Sequence, residues 1–334
     1  MKGLMVAARA VMALATGVCA SMTMPGAMAQ SRHLEQAKVK VGISITDSTF
    51  LPIYLAEKEG FFKDEGLDAS FTTFHGGSDL MRAVVSNSVD VGLSSPAAVF
   101  SAIKAKQDIK IFFGGFNQAP FSLCAIPSVK TLADAKGKRF GISRFGSSTD
   151  ELTRYMLKAH HIDPDKDVRI VQGGGSSARL AAMEAGQLDV GLFALPFDFI
   201  AAEKGYNILV RQTDVMPDFP IQSFFARQSY IDGHHDTIKA LLRGFIRGVR
   251  LAKANKTLAV QTLIEKVHIK KQYAERAYAS LIGGWREDGR LASDAGMKAF
   301  FEMAIASGHL KEAWPKNKYW DDEFVATLDQ WKPR

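Results

Sequence analysis

An α/β protein of two lobes with a ligand cleft between them is the fold class that this sequence predicts. Two observations predict it: the chain repeats itself at an offset of 99 residues, and each copy alternates strand and helix patterns. In the repeat, Gly42-Ile43-Ser44 aligns with Gly141-Ile142-Ser143, Ser48 with Ser147, and Gly76 with Gly175. Ser78 then aligns with Ser177, and Asp90-Val91-Gly92-Leu93 with Asp189-Val190-Gly191-Leu192. Two long copies do not make a solenoid, which needs shorter and more numerous units.

The elements follow in order. Lys2 and Arg9 precede a short apolar run from Ala10 to Ala20, and Ala27-Met28-Ala29 suits signal cleavage before Gln30, so residues 1–29 are expected to be a signal peptide for export to the periplasm. The run is too short for a bilayer crossing, which takes about 20 apolar residues. In the first copy, Val39 to Ile45 alternates as a strand, Leu51 to Phe62 is helical, Leu67 to Phe74 is a strand, Leu80 to Asn87 a helix and Val89 to Leu93 a strand. In the second copy the same order runs through Arg139 to Ser143, Glu151 to Ala159, Val168 to Gln172, Arg179 to Ala185 and Leu188 to Phe193. This grammar implies parallel pairing. Cys124 to Lys130 is expected to carry the chain across, and Gln212 to Gln222, with Pro217 and Pro220, to bring it back. Helices from Thr237 to Trp331 then complete the first lobe. Lobe I is accordingly expected at 38–123 plus 221–334 and lobe II at 124–220.

Composition narrows the function. The formal net charge is +7 and falls to +5 without Lys2 and Arg9. The basic residues are scattered among acids, which excludes a nucleic-acid stripe but suits anionic solutes. Cleavage also removes Cys19 and leaves Cys124 without a disulfide partner, so stability rests on the core.

Three stretches carry a resemblance to a known family: Phe50-Leu51-Pro52-Ile53-Tyr54-Leu55-Ala56-Glu57-Lys58-Glu59-Gly60-Phe61-Phe62, Val89-Asp90-Val91-Gly92-Leu93, and Gly141-Ile142-Ser143 leading to Gly146-Ser147-Ser148-Thr149. The chain resembles the periplasmic solute-binding proteins of nitrate/sulfonate/taurine-type ABC importers and their thiamine-precursor-binding relatives. That resemblance implies a type II periplasmic binding protein fold. It also implies a small organic anion as ligand, a sulfonate or an aromatic or other organic acid, and partnership with an ABC permease and its separate ATPase subunit. The expected protein is a monomer that uses no cofactor or metal and binds no nucleic acid. A thiamine-pyrimidine-precursor binder, a synthase-like enzyme and a periplasmic sensor subunit are the alternatives.

Candidate ligand contacts lie in the turns beyond strand ends, where open α/β sheets bind ligands. Gly146, Ser147, Ser148 and Thr149 open a helix whose first N–H groups lack partners, a place that favours an anion; the competing reading is a Ser148–Glu151 capping box. Ser48, Thr49 and Phe50 occupy the matching turn of the first copy, with Asp47 read as a cap. Ser94 and Ser95 follow one Asp-Val-Gly-Leu phrase, and Phe197 and Asp198 follow the other, Asp198 being either a partner for a ligand amine or a helix-terminal charge. Asn117 and Gln118 are expected on the hinge side, and Arg144 or Arg179 would suit a carboxylate.

Enzyme chemistry is not expected. His160-His161 and His234-His235 diverge rather than converge on an ion, and there is no His-Glu-x-x-His or Cys-x-x-Cys. Ser147 and Ser148 lie outside a Gly-x-Ser-x-Gly elbow. The Gly76-Gly77-Ser78 and Gly173-to-Ser177 loops lack the rest of a Walker motif and read as tight strand-to-helix turns.

Overall fold

The structure is a computed structural model and describes residues 34–334 apart from 119, 215 and 217. The expected signal peptide, residues 1–29, and Pro217 of the expected return crossing lie outside the described residues. The strands are β1 (Lys38–Ile43), β2 (Asp68–Thr73), β3 (Val91–Ser94), β4 (Ile109–Gln118), β5 (Phe121–Ala125), β6 (Arg139–Ile142), β7 (Arg169–Gln172), β8 (Val190–Ala194), β9 (Asn207–Arg211) and β10 (Asp218–Arg227). They form two five-stranded sheets, ordered β2-β1-β3-β10-β4 and β7-β6-β8-β5-β9.

The 99-residue repeat is physical down to its register. Val41 pairs with Val91 and Gly42 with Gly92; at the same offset, Phe140 pairs with Val190 and Gly141 with Gly191. The acid of each Asp-Val-Gly-Leu phrase has the same task in both copies. Asp90 Oδ2 accepts the Lys40 N–H at 2.8 Å and Asp189 Oδ2 accepts the Arg139 N–H at 2.8 Å, so the carboxylate satisfies a strand donor that the ladder leaves free. The glycines of these strands are needed for space. A Cβ at Gly42 would lie 2.2 Å from Leu80 Cδ1, and one at Gly92 would lie 2.4 Å from the Phe225 ring.

The pairing of the repeated strands is parallel, as their grammar implies, in β2-β1-β3 and β7-β6-β8, and each sheet adds an antiparallel strand from outside the repeat. β10 runs antiparallel between β3 and β4, and β5 antiparallel between β8 and β9. The chain therefore enters the second sheet between Gln118 and Phe121, and residues 124–130 run along that sheet and out of it. The expected helix from Leu51 to Phe62 is two pieces, Leu51–Lys58 and Phe61–Asp64. It breaks because Gly60 takes a left-handed conformation, φ +72°, that a side chain resists. The end of the helical stretch expected up to Trp331 is likewise in two pieces, Glu323–Ala326 and Leu328–Trp331.

Beyond β10, the helix His235–Ala254 packs on Leu51–Lys58. Gly248 lets the two approach, since a Cβ there would sit 2.2 Å from the Pro52 carbonyl oxygen, and Gly244 makes room for the Phe62 ring of Phe61–Asp64. Phe112, Phe113, Phe224 and Phe245 are buried aromatic neighbours at the first sheet, with Phe224 and Phe245 centroids 4.9 Å apart in an edge-on arrangement. No helix among the described residues is long and apolar enough to cross a membrane.

Side chains join the two sheets' helices. Arg144, after β6, donates to Asp79 of the helix Gly77–Val85 at 2.8 Å, and Lys158 Nζ donates to the Ala306 carbonyl at 2.6 Å. Glu151 of the helix Ser148–Ala159 meets His309 Nε2 at 3.3 Å, and is 1% exposed. Burial raises the Glu151 carboxyl from 4.5 to about 8, with the neighbouring Asp150 charge adding to the rise, while burial pushes His309 down. At neutral pH the contact is therefore one between a carboxylic acid and a neutral imidazole, not an ion pair. The folded chain then keeps a proton that the unfolded chain releases above pH 4.5, so this residue's contribution to stability is full below pH 4.5 and is lost as pH rises through about 8. In thermal melts, Glu151→Gln should gain on the wild type steadily from pH 5 to above pH 8. A difference independent of pH would contradict the assignment.

Candidate functional site

A narrow cleft lies between the two sheets, where turns after β1, β2, β3 and β6 converge. Thr49, Phe50, Ser94, Ser95, Ser147, Ser148 and Thr149 line it, as do Ser44, Ile45, Asp47, Gly76, Gly77, Phe121, Ser143, Ile221 and Gln222. The other expected contacts lie elsewhere. Ser48 is buried outside the cleft lining with its hydroxyl unpartnered, and Gly146 is at the outer turn, its N–H donating to Asp150 Oδ2 at 2.9 Å. Asn117 lines a separate surface cavity, Phe197 is in the core, and Gln118 and Asp198 line a side cavity.

The second-copy wall is built of hydroxyls. Ser143, Ser147 and Thr149 form a triangle of hydrogen bonds, with Oγ–Oγ and Oγ–Oγ1 distances of 2.8 to 2.9 Å. Thr149 Oγ1 also accepts the Ser143 N–H at 2.8 Å, and Ser147 Oγ donates to the Arg144 carbonyl at 2.7 Å. Three hydroxyls carry three protons; with that of Ser147 committed to the Arg144 carbonyl, the Ser143 and Thr149 hydroxyls are the ones that can turn a proton toward a ligand while Ser147 accepts. Ser147 caps the helix Ser148–Ala159 without a side-chain bond to it, so amide donors remain at that end. The Ser148–Glu151 capping box does not form, because Glu151 is turned inward to His309. Ser44 and Ser143 are the repeat-related pair that the alignment already contained; both line the cleft because each directly follows the first strand of its copy.

On the first-copy wall, Asp47 Oδ1 accepts the Thr49 N–H at 2.8 Å and the Thr49 hydroxyl, fulfilling its role as a cap. Trp285 Nε1 donates to the Thr49 carbonyl at 2.8 Å, and the Gln222 amide donates to Thr49 Oγ1. Desolvation raises the Asp47 carboxyl to about 6, against the pull of the Thr49 bonds and the Arg179 charge.

Arg179 is the electrostatic centre of the second wall. It is 0% exposed, and its guanidinium donates to the Gly174 and Leu192 carbonyls and to Ser176 Oγ. Its Nε has no partner, and no carboxylate among the described residues reaches it within ion-pair distance. Burial lowers it to about 10, partly offset by Asp47, so the side chain stays cationic at neutral pH. Gly173 and Gly141 admit its stem: a Cβ on either would come within 2.9 and 3.2 Å of it. The Gly-rich turn is thus a turn and also a slot for a buried cation.

The side cavity holds a different set. Asp198 Oδ2 accepts from Ser122 Oγ at 3.1 Å and from Arg211 at 3.3 Å. Burial raises the Asp198 carboxyl, with the Phe199 N–H, Ser122 and Arg211 opposing. Asp198 is therefore already paired, through a residue that local pattern did not single out. Among the described residues, no group of three or more His, Cys, Asp and Glu is placed to hold a metal ion.

A family model described as NMT1/THI5 like matches residues 47–259. The chain is similar to the putative binding protein YtlA of Bacillus subtilis, 31% identical over 206 residues, which is 60% of this chain and 61% of that one. It is also similar to the 4-amino-5-hydroxymethyl-2-methylpyrimidine phosphate synthase of Candida albicans, 34% identical over 111 residues, 31% of this chain and 32% of that one. The matches thus span about three fifths and one third of those relatives. Among solved structures, one from Bordetella bronchiseptica RB50 has a TM-score of 0.79 at 24% identity, covering 90% of this chain and 99% of the other. The alkanesulfonate-binding protein SsuA of Xanthomonas axonopodis pv. citri, bound to MOPS, has a TM-score of 0.68 at 18% identity, covering 83% and 95%. These likenesses establish a periplasmic binding protein fold. With the two repeat-related sheets, the cleft between them and a family match that extends over more than half of its length, the chain belongs to the NMT1/THI5-like family.

Proposed function

We propose that this protein is the periplasmic substrate-binding component of an ABC importer, and that it captures a small organic anion between two closing lobes, with a sulfonate as the leading class. The observation that carries the reading is Arg179: a desolvated cation with no carboxylate partner among the described residues, behind a wall of reorientable hydroxyls and free helix amides. Asp47 offsets the burial of the Arg179 charge only in part, and an anion in the cleft lowers the remaining cost. SsuA's sulfonate ligand supports the class, and Phe50, Phe121 and Ile221 supply an apolar side for an organic group.

In this mechanism the lobes, each carrying one sheet, close about the strands that pass between them. The Arg144–Asp79 bond spans the mouth and holds the closed form that a permease recognises. A separate ATPase subunit supplies the energy, and the protein acts as a monomer without a catalytic step. A pyrimidine precursor is the second reading, favoured by the match to the fungal synthase.

A thermal-shift screen against sulfonates, nitrate, aromatic acids and pyrimidine precursors tests the class. A ligand at 100 times its Kd stabilises the folded state by about 2.7 kcal/mol. The expected result is a rise with a sulfonate that the combined Ser147→Ala and Ser148→Ala variant loses; a rise only with pyrimidines would move the assignment to the second reading. Asp47 also gives a pH sign. Its carboxyl is protonated below about pH 6, so sulfonate affinity should weaken from pH 5 to pH 7.5 as the carboxylate forms beside the bound anion. Calorimetry on Asp47→Asn should show a flat profile, whereas affinity that strengthens with pH would indicate a ligand with an ammonium group facing Asp47.

A preformed latch makes its own prediction. Arg144→Ala should enlarge the radius of gyration of the unliganded protein in solution scattering, with the sulfonate restoring the wild-type value; equal radii in all states would exclude the latch.

A further inference from the structure

The cleft encloses about 30 Å³, enough for one water and too little for an organic anion. One side chain away is a cavity of about 300 Å³, at the lower end of the range of small-molecule sites. Phe121 forms part of the wall of both, standing at the start of β5 where the chain has just passed from the first sheet to the second.

The side cavity has a chemistry of its own. Asp198 and Arg211 neutralise each other across 3.3 Å, so it offers no uncompensated charge to a ligand. Gln118 Oε1 is buried in its wall without a hydrogen-bond partner, an acceptor that calls for a donor. Pro120, Leu195 and Phe199 give it apolar faces suited to methylene groups.

We infer that the ligand is an elongated anion whose charged head occupies the hydroxyl cluster of the cleft and whose uncharged tail, ending in a hydrogen-bond donor such as a hydroxyl or amide, passes Phe121 into the side cavity. This rests on the anion reading above and adds the length and terminal group of the substrate. It also explains why the expected contacts Gln118 and Asp198 lie apart from the serines: they face the other end of one ligand.

Titration calorimetry with three probes tests it: methanesulfonate, hexane-1-sulfonate and 6-hydroxyhexane-1-sulfonate. The hydroxylated probe should bind about tenfold more tightly than hexane-1-sulfonate, the worth of one satisfied buried acceptor. That ratio should shrink to about twofold in Gln118→Leu, where the acceptor is gone. Phe121→Trp, which enlarges the ring between the two spaces, should lower the preference for either long probe over methanesulfonate. If methanesulfonate binds but chain length and the hydroxyl gain nothing, or if the ratio survives Gln118→Leu, this inference fails and the anion reading stands. If none of the three binds, both fall together.

Discussion

A guanidinium buried without a carboxylate partner among the described residues sets the terms for the second half of this molecule. Arg179 keeps its charge only because the Gly174 and Leu192 carbonyls and the Ser176 hydroxyl replace the water it lost. Its stem in turn demands bare backbone at Gly141 and Gly173, which places the turn after β7 and the middle of β6 under one steric constraint. The hydroxyl triangle of Ser143, Ser147 and Thr149 and the amide end of the helix Ser148–Ala159 then present donors to the same cleft. A buried cation and hydroxyl and amide donors thus stand along one cleft, the arrangement on which the proposed anion site rests.

The first half answers with a different device. Asp47 ties down Thr49, and Thr49 is held again by Trp285 and Gln222, so the turn after β1 is fixed from three sides before any ligand arrives. Its carboxyl is desolvated and therefore raised to about 6, which couples the cleft's charge to pH.

The sequence made much of this legible, because a repeat is read by comparison and not by propensity. The strands, their shared register and the task of the Asp-Val-Gly-Leu acids all follow from an offset that any residue-by-residue alignment exposes. What stayed hidden depends on contacts between distant segments. β10 joins the first sheet from more than a hundred residues downstream, and its nearly continuous burial gives no alternation to read. Arg179 is legible from the sequence as a partner for a carboxylate, but its complete burial is not, because it sits at a helical position where periodicity assigns charge to the surface. Asp47 reads as a cap and is one, yet the backbone of the short 3₁₀ turn directs Asp47, Thr49 and Phe50 alike to the cleft lining and leaves Ser48 out of it. Arg211 went unnoticed because its partner Asp198 lies on another element, so no local spacing links them.

The account's central claim is that the cleft holds one anion and returns it unchanged. Native mass spectrometry of the protein saturated with a sulfonate, followed by release and mass analysis of the ligand, tests this most directly. The account predicts a single adduct per chain and a released molecule of unaltered mass; a ligand recovered with a changed mass would contradict it and make the protein an enzyme.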